Sequence, residues 1–206
     1  MQQTDIMQEF GSAVESFSSR HATHLENFSV SKGTVYGGAA VVGFAKISGY
    51  GRHFVPDPSG VPAYIMPVGS RGAGGIVWND IWDLVAWTPS QPWSLYRRAD
   101  LSAVANEDAL YDAHLDNLPI TVCGNPLEWL QSGATGLCVL DWDAFRVSFY
   151  LSHFLQIVAY SQATEQKLMG AYDRRVPKIS CVKTKYPDQP GTLCPVRALD
   201  EESENG

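Results

Sequence analysis

Between Leu118 and Asp143 the sequence LPITVCGNPLEWLQSGATGLCVLDWD admits few local structures. Ile120 and Val122 alternate with Thr121 and Cys123, the period of two that a strand shows when its faces meet different surroundings. Asn125 has the chemistry of a helix N-cap. Pro126 suits the first helical position, where a missing N–H costs nothing, and Glu128 stands at the third, where a carboxylate reaches back to the cap. Gly133 supplies a stop. Leu137, Cys138, Val139 and Leu140 then form an unbroken apolar run, as in a strand covered on both faces. The stretch predicts a βαβ unit. The link from Cys123 to Gly136 is close to the minimum for a parallel crossover, which leaves an antiparallel return as the alternative.

A chain of 206 residues buries a substantial core without needing disulfides or a metal. With 45% hydrophobic and 18% charged residues, disorder is excluded for most of its length. The net charge of −7 counts against nucleic-acid binding through the overall field, although a local basic patch would still serve. Cys123, Cys138, Cys181 and Cys194 form no C-x-x-C pair, and two of them fall in the strands just predicted, so reduced thiols and a cytoplasmic location are expected. A zinc site from Cys181, Cys194 and a histidine would need wider ligand spacing than metal knuckles use. Asp5 and Glu9 interrupt the N-terminus where a secretory signal would be apolar, so no such signal is expected. Ala144 to Tyr160 carries Arg146, His153 and Gln156 and is too short and polar for a bilayer span, so no membrane is expected.

Residues 5–28 place Ile6, Phe10, Val14, Phe17, Leu25 and Phe28 on one face of an amphipathic helix, with His21 and His24 together near its end as surface histidines. From Ser31 to Val68 the pattern turns to glycine-broken strands, and Pro56-Asp57-Pro58-Ser59-Gly60 predicts the turn of a hairpin between 53–55 and 63–66. Gly69 to Gly75 lacks the lysine and Ser/Thr of a phosphate loop and predicts a hairpin tip. Strands are expected at Ile76–Trp87 and Trp93–Tyr96, with the clustered tryptophans mainly covering a sheet. A helix from Asp100 or Ser102 to Leu115 shows an acidic outer face. Asp143 is expected to cap a long helix, 144–169, apolar around its first half, which offers a protein partner or a second copy a surface over 144–160. Lys167, Arg174, Arg175, Lys178, Lys183 and Lys185 make 167–185 the plausible polyanion footprint. The expected class is α+β, with α/β as the alternative: a mixed sheet with an N-terminal helix, a β-rich first half, the central βαβ unit and a long C-terminal helix. Residues 1–176 would form one globular domain and 177–206 an extended, partly disordered tail.

Asp141-Trp142-Asp143 directly after a buried strand is the one constellation that points to catalysis, because carboxylates two apart at a strand's carboxyl end can share a divalent cation. With Ile120 to Leu140, its strand, short helix opening Pro-Leu-Glu, glycine and second strand, it resembles a shortened, degenerate toprim unit, the metal-dependent module of primases and topoisomerases. The wider run from Phe54-Val55-Pro56-Asp57 through Ile81 to Trp87 and on to Leu140-Asp141-Trp142 is similar to uncharacterised proteins of bacterial phages and mobile elements, often in replication contexts. That resemblance implies Mg²⁺ held by Glu128, Asp141 and Asp143. The chain departs from it where it matters. A toprim unit carries its glutamate at the end of the first strand, where Cys123-Gly124 stand here, and its Asp-x-Asp follows a later strand. The expectation is therefore a non-catalytic accessory protein of a phage or mobile element, with no cofactor. The alternatives are a metal-dependent nuclease or primase-type enzyme, or a small-ligand binding module on strands 33–49 and the tryptophans. A thiol–imidazole pair of Cys123 with His114 or His153 has no support in the spacing.

Overall fold

The computed structural model describes residues 3–37, 41–71, 78–116, 118–154, 156–171, 179–181 and 194–198. Its elements are, in order, α1 (Gln3–Glu15), α2 (Ser19–Glu26), α3 (Lys32–Tyr36), β1 (Gly43–Tyr50), β2 (His53–Pro56), β3 (Val61–Arg71), β4 (Trp78–Thr88), β5 (Gln91–Arg97) and β6 (Val104–Ala105). There follow α4 (Asp108–Leu115), β7 (Ile120–Cys123), α5 (Pro126–Gln131), β8 (Leu137–Val139), α6 (Phe145–Leu151), β9 (Gln156–Ala159), α7 (Gln162–Ala171), β10 (Ile179–Cys181) and β11 (Cys194–Ala198). The class is α+β, as the alternation of periods implied.

The first half closes into a five-stranded barrel in the order β1-β2-β5-β4-β3, and the second half is a six-stranded mixed sheet in the order β10-β11-β9-β7-β8-β6. β3 and β4 explain the junction. Tyr64, Met66 and Val68 alternate with Ala63 and Ile65, and Val85 and Trp87 alternate with Leu84 and Ala86. One set packs in a cluster with α1, whose Ile6, Phe10 and Ala13 cover the barrel. The other joins Leu25, Val30, Trp129, Leu130, Cys123 and Cys138 in a core shared with the α/β half. Both faces are buried, so the strands lose the polar alternation of a half-exposed sheet. Close approach of α1 accounts for Gly43: a Cβ there would lie 2.7 Å from the Ala13 carbonyl carbon.

The predicted βαβ unit is present, and it is parallel: Val122 stands opposite Leu137 and Cys123 opposite Cys138. Elsewhere the structure corrects the sequence reading. The helix expected over 5–28 is two helices, because Ser18 turns extended and caps α2, its backbone N–H donating to His21 Nδ1 at 3.0 Å. The segments around 53–55 and 63–66 do not form a hairpin with each other; each pairs with a different half of β1. The helix expected from residue 100 or 102 begins only at Asp108, since Val104 and Ala105 are spent on β6. The long helix 144–169 is α6, β9 and α7. Its apolar circumference belongs to a strand paired on both sides, and Ile157 and Val158 carry the β-branching that favours that state. Asp143 is exposed and does not cap α6, whose N-cap is Ala144; instead Asp141 Oδ1 accepts the Asp143 N–H at 3.0 Å.

Within 177–206, residues 179–181 and 194–198 are strands at the sheet edge, β11 lying antiparallel to β9; the rest of that segment lies outside the described residues. Of the stretch Gly69 to Gly75, read as a hairpin tip, residues 69–71 belong to β3, which pairs antiparallel with β4, and the rest lies outside the described residues. No helix among the described residues is long and apolar enough to cross a membrane.

Candidate functional site

β7 lies between β8 and β9 and runs parallel to both. The chain leaves β7 through α5 to reach β8, then returns through α6 to reach β9 on the other flank. Such a reversal leaves a crevice beyond the carboxyl ends of the strands, here β7 and β9, and open α/β sheets place ligands in it.

In this chain the crevice is filled from within. Asn125 caps α5 by accepting the Glu128 N–H at 3.0 Å, and Pro126 opens the helix as its sequence position required. That fixes Glu128 one turn in, with its side chain turned back towards β7. Glu128 Oε2 accepts from the Gly124 N–H at 2.7 Å and from Thr164 Oγ1 at 2.5 Å, and Oε1 accepts from Ser161 Oγ at 2.7 Å. Ser161 immediately precedes α7 and caps it, its hydroxyl also accepting the Thr164 N–H at 3.1 Å. The carboxylate is therefore buried with both oxygens satisfied by protein donors.

A roof closes over this arrangement. A Cβ on Gly124 would meet Thr164 Oγ1 at 2.3 Å and Trp93 Cη2 at 2.5 Å, so the barrel's Trp93 rests directly on the end of β7. Trp142 Nε1 donates to the Gly124 carbonyl at 3.2 Å. Lys167 Nζ lies 4.7 Å from the Trp93 ring centroid and 5.9 Å from that of Trp142, a cation held on aromatic faces.

Asp141 has other commitments. It receives Arg52 Nη1 at 3.3 Å and lies 4.0 Å from Arg97 Nη2, while Arg97 Nη1 also binds Asp100 and the Ser102 carbonyl. These contacts tie β8 to the barrel. Glu128, Asp141 and Asp143 thus hold three separate positions: buried in the crevice, bridging to the barrel, and exposed. No group of three or more His, Cys, Asp or Glu side chains among the described residues is arranged to hold a metal ion.

Arg174, Arg175, Lys178, Lys183 and Lys185 lie outside the described residues. The backbone register sets Cys181 opposite Val196 and Cys194 opposite Ala159, so the two cysteines are not cross-strand partners. Cys123 is fully buried, where desolvation pushes its thiol up to about 12, and its Sγ contacts Ser132 Oγ rather than a histidine. His114 packs edge-on against Phe154, and His153 bonds the Phe149 carbonyl. His21 is half-buried and stacks on Phe44 at 3.8 Å, while His24 is exposed, as expected, with Nδ1 2.7 Å from the Tyr64 hydroxyl.

Ser161, Thr164, Trp93 and Lys167 complete the crevice, and their roles there were not read from the sequence. A signal existed for two of them. Ser161 and Thr164 follow the apolar run Ile157 to Tyr160 at the spacing of a helix start, and they become legible once that run is taken as a strand. Comparison with known protein families, with curated proteins and with solved structures gave no match to this chain.

Proposed function

We propose that this protein is a non-catalytic accessory protein that works by self-association, in the replication context of a phage or mobile element. One observation carries the reading: the crevice where this architecture would bind a ligand is occupied by the chain's own Glu128 carboxylate, fully hydrogen-bonded and roofed by Trp93. Opening it would strip a buried carboxylate of three donors, a cost that substrate binding would have to meet first.

The surface for association is α6. Phe145 and Phe149, 82% and 54% exposed, stand one turn apart and form a single apolar ridge. Two copies packed with their α6 helices antiparallel about a two-fold axis would interleave these ridges and bring Asp143 at one end of the helix to His153 at the other end of its partner. Both residues are exposed.

Light scattering on the eluting protein tests the association: a dimer is expected for the wild type and a monomer for Phe145→Glu/Phe149→Glu. A strictly monomeric wild type would overturn it. Assays of primer synthesis and DNA cleavage with Mg²⁺ or Mn²⁺ test the other half, and no turnover is expected. Activity abolished by Asp141→Ala would instead establish the metal-dependent enzyme.

A further inference from the structure

A cleft of about 730 Å³ lies away from the crevice, between α4 and the amino end of β7. Arg71, the last residue of β3, lines it. Its guanidinium carbon is 4.9 Å from the Trp78 ring centroid and 5.2 Å from that of Trp129, so the group is clamped between two indoles. Nε and Nη2 are enclosed and have no hydrogen-bond partner among the described residues.

Enclosing a guanidinium is costly; the nearby Asp108 carboxylate and the aromatic faces each offset part of that cost. What the clamp supplies is orientation: the plane of the cation is fixed before anything arrives. On the facing wall α4 sets Asp108, Asp112 and Asp116 along one side, all of them lining the cleft. Asp108 Oδ2 accepts the Arg71 backbone N–H at 2.8 Å. Asp112 and Asp116 are exposed and form no ion pair among the described residues; at about 1.5 Å of rise per residue they stand roughly 6 and 12 Å further along the helix. A fixed cation at one end and unpaired carboxylates beyond it call for a ligand of the reverse polarity.

We propose that this cleft binds a zwitterion carrying a carboxylate for Arg71 and a cationic group for Asp112, with the chemistry of arginine or lysine, either free or as the C-terminal residue of a peptide. The proposal is independent of the closed crevice and of dimer formation. Thr121 and the Gly136 segment, opposite α4, form the polar floor along which the ligand's stem lies.

Calorimetric titration of the full chain tests it, with L-arginine, agmatine, which lacks the carboxylate, and citrulline, which lacks the side-chain cation. Arginine is expected to bind, and the other two at least about tenfold more weakly. Gly-Gly-Arg as the free acid and as the amide separates the sources: tighter binding of the acid than of arginine identifies a peptide end, and the reverse identifies the free amino acid. Asp112→Asn and Arg71→Lys should each weaken arginine about tenfold or more. Should Arg71→Lys fail to fold, Asp112→Asn at its exposed position carries the test alone. No binding of arginine or Gly-Gly-Arg up to about 10 mM, agmatine or citrulline equal to arginine, or an unaffected Asp112→Asn would overturn the proposal.

Discussion

The Thr164 hydroxyl donates to Glu128 Oε2 at 2.5 Å, joining the first turn of α7 to the first turn of α5 across the gap between β9 and β7. Three segments meet on that one carboxylate, because the Gly124 N–H and the Ser161 hydroxyl complete its shell. Glu128 thereby acts as a bolt in the position where an open α/β sheet would take an anionic ligand.

Removing the bolt should be felt as stability. Glu128→Ala leaves two hydroxyls and an amide facing a void, and hydrogen bonds to a buried charged group put the expected loss at about 3 kcal/mol. Denaturant titration should show the midpoint falling with the slope unchanged. A double-mutant cycle with Thr164→Val should return a coupling of about 1 kcal/mol or more; additive effects would mean that the contact does not act as a pair.

His21 makes α2 sensitive to acid. Its Nδ1 accepts the Ser18 N–H and so must be unprotonated, while burial, helped by Arg20 and His24, holds its pKa below the ordinary value of 6.5. A histidine whose folded pKa is depressed disfavours proton uptake in the native state. Its contribution is intact at neutral pH, begins to be lost as pH falls through 6.5, and is fully lost below the lowered folded value. His21→Gln keeps an acceptor at the same place in the capping box without a titration, so it should flatten that limb of the stability profile. Denaturation midpoints at several pH values for the two proteins would measure it, and parallel profiles would refute the assignment.

Cys123 and Cys138 should be silent in the native protein. Burial pushes the Cys123 thiol up to about 12 and that of Cys138 well above its ordinary value, and neither reaches solvent. Alkylation at mild alkaline pH, followed by peptide mapping, should label both only at the rate of unfolding. Fast labelling of either would show that the shared core opens locally.

How much of this was legible beforehand can be traced through particular residues. The cap at Asn125, the proline at 126 and Glu128 at the third helical position are local chemistry, and the short helix stands where those residues set it. The same local logic misread 144–169, because a strand covered on both faces and a helix buried all round present the same apolar run, and only pairing with β7 and β11 separates them. Closure of the barrel, with β2 beside β5 in parallel, joins residues far apart in the chain and leaves no periodic trace.

For the crevice, the sequence by itself determined that a carboxylate would stand one turn into α5, since its backbone place follows from the residues on either side. Tertiary structure alone decided what that carboxylate does. Its donors come from Gly124 and from the start of α7, and its roof comes from a barrel tryptophan some thirty residues upstream. Capping acts over a single turn of chain, so it can be read in order. Satisfaction of a buried charge depends on which segments meet in space, and that is set only when β7, β9 and the barrel come together.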